Sequence, residues 1–127
     1  MSETSLKRLL EKAERDEAIL AVFLFGSVAR GERTATSDVD VALVMRDPSL
    51  DAAEVFRKRL EYMELPGLDV HVFQRLPIYV RQRVLKEGRV LFVRNEDALY
   101  ELAFRTVQAF EDFRHRYHEY QEEVAAG

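Results

Sequence analysis

Two short runs decide the fold: Ala18-Ile19-Leu20-Ala21-Val22-Phe23-Leu24-Phe25-Gly26-Ser27 and, after ten intervening residues, Asp38-Val39-Asp40-Val41-Ala42-Leu43-Val44-Met45. The first is apolar without a break up to Gly26. A run that short, rich in β-branched and aromatic residues, reads as a strand covered on both faces. The second opens on two carboxylates and turns apolar, giving a second strand over 38–45 that Asp47 and Pro48 break. Upstream, Leu6, Leu9, Leu10 and Ala13 recur at helical spacing over 5–16, with Ser5 placed to cap them. Downstream, Ala52, Val55, Phe56, Leu60 and Met63 mark a helical stripe over 51–63. Pro66-Gly67 is a turn, and Leu68 to Gln74 is a third strand. Pro77 opens a helix to about Lys86, where its missing N–H costs nothing. Gly88 takes the C′ position, Val90 to Val93 is a fourth strand, and 96–124 is one long helix. The order α-β-β-α-β-α-β-α predicts a single α+β domain over 1–127, a small mixed sheet packed with helices.

Composition agrees with a folded cytoplasmic protein. Of 127 residues, 47% are hydrophobic and 33% charged, which argues against a disordered chain. The absence of cysteine excludes disulfides, thiolate metal sites and cysteine nucleophiles. A net charge of −4 disfavours nucleic-acid binding through the overall field. No apolar targeting segment follows the N-terminus, and the run ending at Gly26 is far short of the ~20 residues of a membrane helix.

The segment between the two strands carries the chemistry. Residues two apart on a strand point to one face, about 6.6–6.8 Å apart, so Asp38 and Asp40 are neighbours. Unpaired like charges there repel, and a hard cation such as Mg²⁺, which also takes substrate phosphates as ligands, resolves the repulsion. Gly26-Ser27, at the end of a buried strand, offers backbone N–H groups and a hydroxyl to phosphate oxygens, and Gly26 admits a close approach. Leu68-Asp69-Val70-His71-Val72-Phe73 is apolar apart from Asp69 and His71, which share a face. If that strand pairs beside 38–45, Asp69 completes a three-carboxylate site for one or two Mg²⁺. His71 then either rims the site, accepts a proton, or is a half-buried histidine satisfied by its neighbours. Arg30 either reaches a triphosphate or is a solvated loop charge.

Gly26-Ser27, ten residues, Asp38-x-Asp40 and a later strand carrying Asp69 resemble the DNA polymerase β-like nucleotidyltransferases. The longer string GSVARGERTATSDVDVALV is similar to the minimal nucleotidyltransferase (MNT) subgroup, often encoded beside a HEPN-domain toxin. The resemblance implies that fold with a long C-terminal helix. It implies nucleotide binding at Gly26 and Ser27, beside which Arg30 is a candidate from its place in the loop, and Mg²⁺ binding and catalysis at Asp38, Asp40 and Asp69. It further implies transfer of AMP from ATP to a tyrosine of a HEPN toxin, acting as its antitoxin. Two alternatives stay open: an antitoxin that masks its partner by contact alone, and a nucleotidyltransferase acting on a small molecule. The apolar end of the long helix, near Phe110 to Tyr120, carries more surface than so small a body covers, which points to a homodimer or a heterocomplex.

Overall fold

A computed structural model describes residues 2–26, 31 and 38–126. The chain runs α1 (Ser2–Arg15), β1 (Ile19–Phe25), β2 (Val39–Met45), α2 (Ala52–Tyr62), β3 (Leu68–Val72), a 3-10 turn (Phe73–Arg75), α3 (Ile78–Glu87), β4 (Arg89–Val93) and α4 (Glu96–Ala126). The strands form one mixed sheet in the order β3-β2-β1-β4. β1 pairs antiparallel with β2 and with β4, and β2 pairs parallel with β3. The expected α+β architecture and element order are observed.

The two central strands are buried nearly throughout, as continuous apolar runs require. Successive residues point to opposite faces. Val22, Leu24, Val41 and Leu43 face α1 and α2, with Leu9, Ala13, Val55 and Tyr62. Phe23, Ala42 and Val44 face α3 and α4, with Val84, Leu99 and Leu102. A register irregularity between Ile19 and Ala21 shifts the phase at the start of β1.

Several local expectations are corrected. α1 begins at Ser2, so Ser5 is a buried residue within the helix and not its cap. The third strand stops at Val72, because Phe73–Arg75 turn into a 3-10 helix that buries Phe73 against Phe23. Gly88 ends α3 in an extended conformation, φ −72°, not a left-handed one. It must be glycine for another reason: a Cβ there would lie 2.3 Å from the Val84 carbonyl oxygen. The largest correction concerns α2. Its buried residues are Val55 and Tyr62, while Phe56, Leu60 and Met63 are exposed. Polar anchors set this rotation. The Tyr62 hydroxyl donates to Asp16 Oδ2 at 2.9 Å, and Arg59 Nε donates to the Val70 carbonyl at 2.8 Å.

Asp16 ties α1 to α2. It also accepts from Lys58 Nζ at 2.9 Å and from the Ala18 amide at 3.1 Å. Burial pushes its carboxyl up, but the hydrogen bonds from Lys58, Tyr62 and Ala18 outweigh that and hold it below the ordinary range. Burial and the Asp16 bond together push the Tyr62 hydroxyl far up, so it stays a donor. Arg94 closes the same corner, donating to the carbonyls of Ala13, Glu14 and Asp16 and, through Nε, to that of Ile19. It thereby satisfies carbonyls that the end of α1 leaves without helical partners.

A charge-assisted hydrogen bond contributes about 1.5–3 kcal/mol, so Tyr62→Phe is expected to destabilise the protein by about that much at pH 7. A carboxylate whose folded pKa lies below its unfolded value stabilises above the unfolded pKa, and loses that contribution as pH falls through the folded pKa. Urea denaturation of both proteins should therefore show a gap that narrows below about pH 4. A gap unchanged at pH 3 would mean that the ionised Asp16 is not the acceptor that matters.

Candidate active site

The site lies where β1 ends and β2 and β3 begin. Parallel pairing of β2 with β3 puts Asp40 opposite Asp69 and Ala42 opposite His71. Antiparallel pairing with β1 puts Phe25 opposite Asp40. Alternation along each strand then directs Asp40, Asp69, His71 and Phe25 to one face. β3 buries Leu68, Val70 and Val72 and leaves the two polar residues between them half-buried. A period-2 pattern does this by itself once the register is set.

One ligand atom from each of Asp40, Asp69 and His71 falls within 4.8 Å of the others. His71 Nε2 is 3.0 Å from Asp69 Oδ2 and 3.8 Å from Asp40 Oδ1. The Phe25 ring meets the imidazole edge-on, with centroids 5.7 Å apart and planes at 64°. Burial raises the Asp40 carboxyl above its ordinary range, and the negative charge of Asp69 adds to this, partly offset by His71. The charge of Asp38 acts in the same direction as that of Asp69. Asp38 itself stands exposed just ahead of β2 and is not a member of the tight group.

Gly26 follows β1 with φ +79°, and a Cβ there would lie 2.3 Å from Asp40 Oδ2. No side chain can occupy that position while Asp40 keeps its place. Of the remaining expected site residues, Ser27 and Arg30 lie outside the described residues. For His71 the sequence leaves a rim residue, a proton acceptor and a satisfied half-buried histidine open, and the structure places it half-buried with Nε2 against Asp69. Its i, i+2 spacing from Asp69 is the signal that places it in the cluster.

The donor set fits a divalent cation. Asp40, half-buried beside a second carboxylate, holds its proton more tightly than an isolated carboxyl, and a cation replaces that proton with a stronger partner. Oxygen donors suit Mg²⁺, which usually also takes oxygen ligands from substrate phosphates.

Comparison with known proteins agrees with this arrangement. The family described as Polymerase beta, Nucleotidyltransferase matches residues 7–97. The chain therefore belongs to the polymerase β nucleotidyltransferase family. It is 30% identical over 79 residues to a Methanocaldococcus jannaschii protein that carries the name of a protein adenylyltransferase. That match covers 58% of this chain and 56% of the relative, so the chain spans little more than half of that relative's length. Among solved structures, a chain of a toxin–antitoxin complex with AMP-PNP superposes with a TM-score of 0.70 at 20% identity, over 98% of both chains. A chain from tri-AMPylated Shewanella oneidensis HEPN toxin bound to MNT antitoxin gives 0.66 at 19% identity, again over 98% of both. Likenesses at these identities establish the fold.

Two outcomes follow from the geometry. Gly26→Ala places a Cβ at positive φ, which costs an L-residue about 1–2 kcal/mol, and displaces Asp40. Thermal unfolding should register the loss, and calorimetry should show weaker Mg²⁺ binding. Asp40→Asn works in the other direction. A carboxyl whose folded pKa is raised stabilises below its unfolded pKa, and loses that contribution as pH rises through the folded one. Relieving the carboxylate pair is thus expected to stabilise chelator-treated protein at pH 7 by roughly 0.5–2 kcal/mol, with no gain at pH 3. Denaturation curves at the two pH values measure this.

Proposed function

We propose that this chain is a single minimal nucleotidyltransferase domain that transfers AMP from ATP to a tyrosine of a HEPN-domain toxin in the cytoplasm, and so acts as its antitoxin. The observation that carries the reading is the in-register pair Asp40 and Asp69 beside Gly26. Family membership supports nucleotidyl transfer. The name of the archaeal relative supports a protein acceptor. The AMPylated toxin in a complex of the same fold supports the partner class.

Asp40 and Asp69, with Asp38 at the mouth of β2, would hold one or two Mg²⁺. Bound there, the cations would neutralise charge on the phosphates and favour the ionised acceptor hydroxyl. The chain's own groups do the rest. By their place in the sequence, Gly26 and Ser27 would offer backbone N–H groups to phosphate oxygens, and Arg30 would offer positive charge to the triphosphate. Asp69, the more exposed carboxylate of the pair, accepts the hydroxyl proton. The acceptor oxygen then bonds to the α-phosphorus as the bond to the β-phosphate bridging oxygen breaks, and pyrophosphate leaves.

The partner's place is suggested by α4. Its 31 residues extend about 46 Å, and only its first part packs, through Ala98, Leu99 and Leu102, against α3 and β1. Further along, Phe113 and Tyr117 stack at 6.2 Å, both exposed, with Tyr120 exposed beyond them. Apolar surface of that extent fits a protein interface, the heterocomplex with the toxin or a homodimer, through residues near Phe110 to Tyr120. No helix among the described residues is long and apolar enough to cross a membrane.

Intact-mass spectrometry of a HEPN toxin incubated with this protein, ATP and Mg²⁺ should show a gain of one or more AMP units. Asp69→Asn should slow that gain at least about 100-fold while leaving the fold intact. No adduct with any nucleotide, together with full neutralisation of the toxin, would replace transfer by masking through contact. Phe113→Glu combined with Tyr117→Glu should abolish co-elution of the two proteins, and an undiminished complex would remove α4 as the docking surface.

A further inference from the structure

The geometry points to His71 as a metal ligand: its Nε2 joins Asp40 and Asp69 around the cation, and the site consequently favours a first-row transition-metal ion such as Mn²⁺ over Mg²⁺. This rests on the reading of Asp40 and Asp69 as cation ligands.

Three observations carry it. The first is distance. Ligand atoms at neighbouring corners of an octahedron with bonds of about 2.1 Å lie about 3.0 Å apart. His71 Nε2 stands 3.0 Å from Asp69 Oδ2 and 3.8 Å from Asp40 Oδ1, and one ligand atom from each of the three residues lies within 4.8 Å of the others. The second is orientation. The Phe25 edge lies against the imidazole, and Ala42, opposite His71 in register, is a buried methyl that leaves the ring its width. The imidazole is thus directed along the face that bears the carboxylates. The third is the arrangement of Asp40. Its Oδ1 is the oxygen nearer His71, and its Oδ2 is the oxygen against Gly26. One oxygen therefore faces the histidine and the other faces Gly26.

The donor set is then two carboxylates and one imidazole. Mg²⁺ is held by oxygen and dehydrates reluctantly, whereas imidazole nitrogen binds first-row transition metals better. An imidazole that only balances the charge of the carboxylates would not discriminate between the ions.

The test uses untagged full-length protein and Mn²⁺ itself as the probe. Pulsed electron paramagnetic resonance of Mn²⁺-loaded protein should show coupling to a histidine ¹⁴N, replaced by ¹⁵N coupling after labelling with ¹⁵N-histidine. The coupling should vanish in His71→Gln, although His115 and His118 remain. Calorimetry should show the ratio of Mn²⁺ to Mg²⁺ affinity falling at least about tenfold in His71→Gln. Circular dichroism checks that the variant is folded, and if it is not, the wild-type nitrogen coupling decides. Mn²⁺ bound without histidine coupling would overturn the role of His71 while leaving the carboxylate site standing. Failure of the wild type to bind Mn²⁺ or Mg²⁺, with or without ATP, would overturn both.

Discussion

The pairing of β2 with β3 is the constraint on which the rest of the site depends. Parallel register brings Asp40 beside Asp69, two carboxylates that would lie apart under a shift of one residue, which also sends every side chain of the strand to the other face. The apolar partners hold that register. Val39, Val41, Leu68, Val70 and Val72 all lie in the core between the sheet and α1 and α2. Slipping β3 would bury Asp69 and His71 in that core and expose its valines. The hydrophobic face of the sheet therefore positions the polar face.

That position works against stability in the metal-free protein. Asp40 is half-buried next to another carboxylate, and burial together with that neighbour raises its pKa. The fold tolerates the conflict because it is confined to one end of one face. The opposite corner is secured by compensated groups. Asp16 is matched by Lys58, Tyr62 and a backbone amide, and Arg94 satisfies the carbonyls at the end of α1. Both corners contain partly buried carboxylates, but their surroundings differ. Asp16 has donors on every side and is stabilised as an anion. Asp40 stands beside a second carboxylate, only partly offset by His71, and is disfavoured as an anion.

The helices show how polar anchors compete with apolar pattern. In α2 the side chains of Phe56, Leu60 and Met63 fall on one helical face, yet they are exposed. The helix turns Tyr62 and Arg59 inward instead, because each finds a specific acceptor there. Burying a hydrogen-bonded tyrosine removes as much apolar area as a leucine and satisfies a carboxylate as well. In α4 the exposure arises from length, since the helix continues well past the sheet that supports its first turns.

Local pattern by itself determined the class of element at almost every position. Unbroken apolar runs made β1 and β2, and Gly26, Asp38, Asp40 and Asp69 stood out as polar or glycine residues at strand ends. These signals are legible because strand alternation and helical periodicity act over two to four residues. The tertiary structure decided what depends on neighbours distant in sequence: the register that pairs Asp40 with Asp69, the rotation of α2, and the inclusion of His71 in the cluster. It also decided why residue 26 has to be glycine, since the atom that excludes a side chain there belongs to Asp40, fourteen residues along the chain and on the adjacent strand. No local periodicity contains these facts, because each is a distance between strands that only packing brings together.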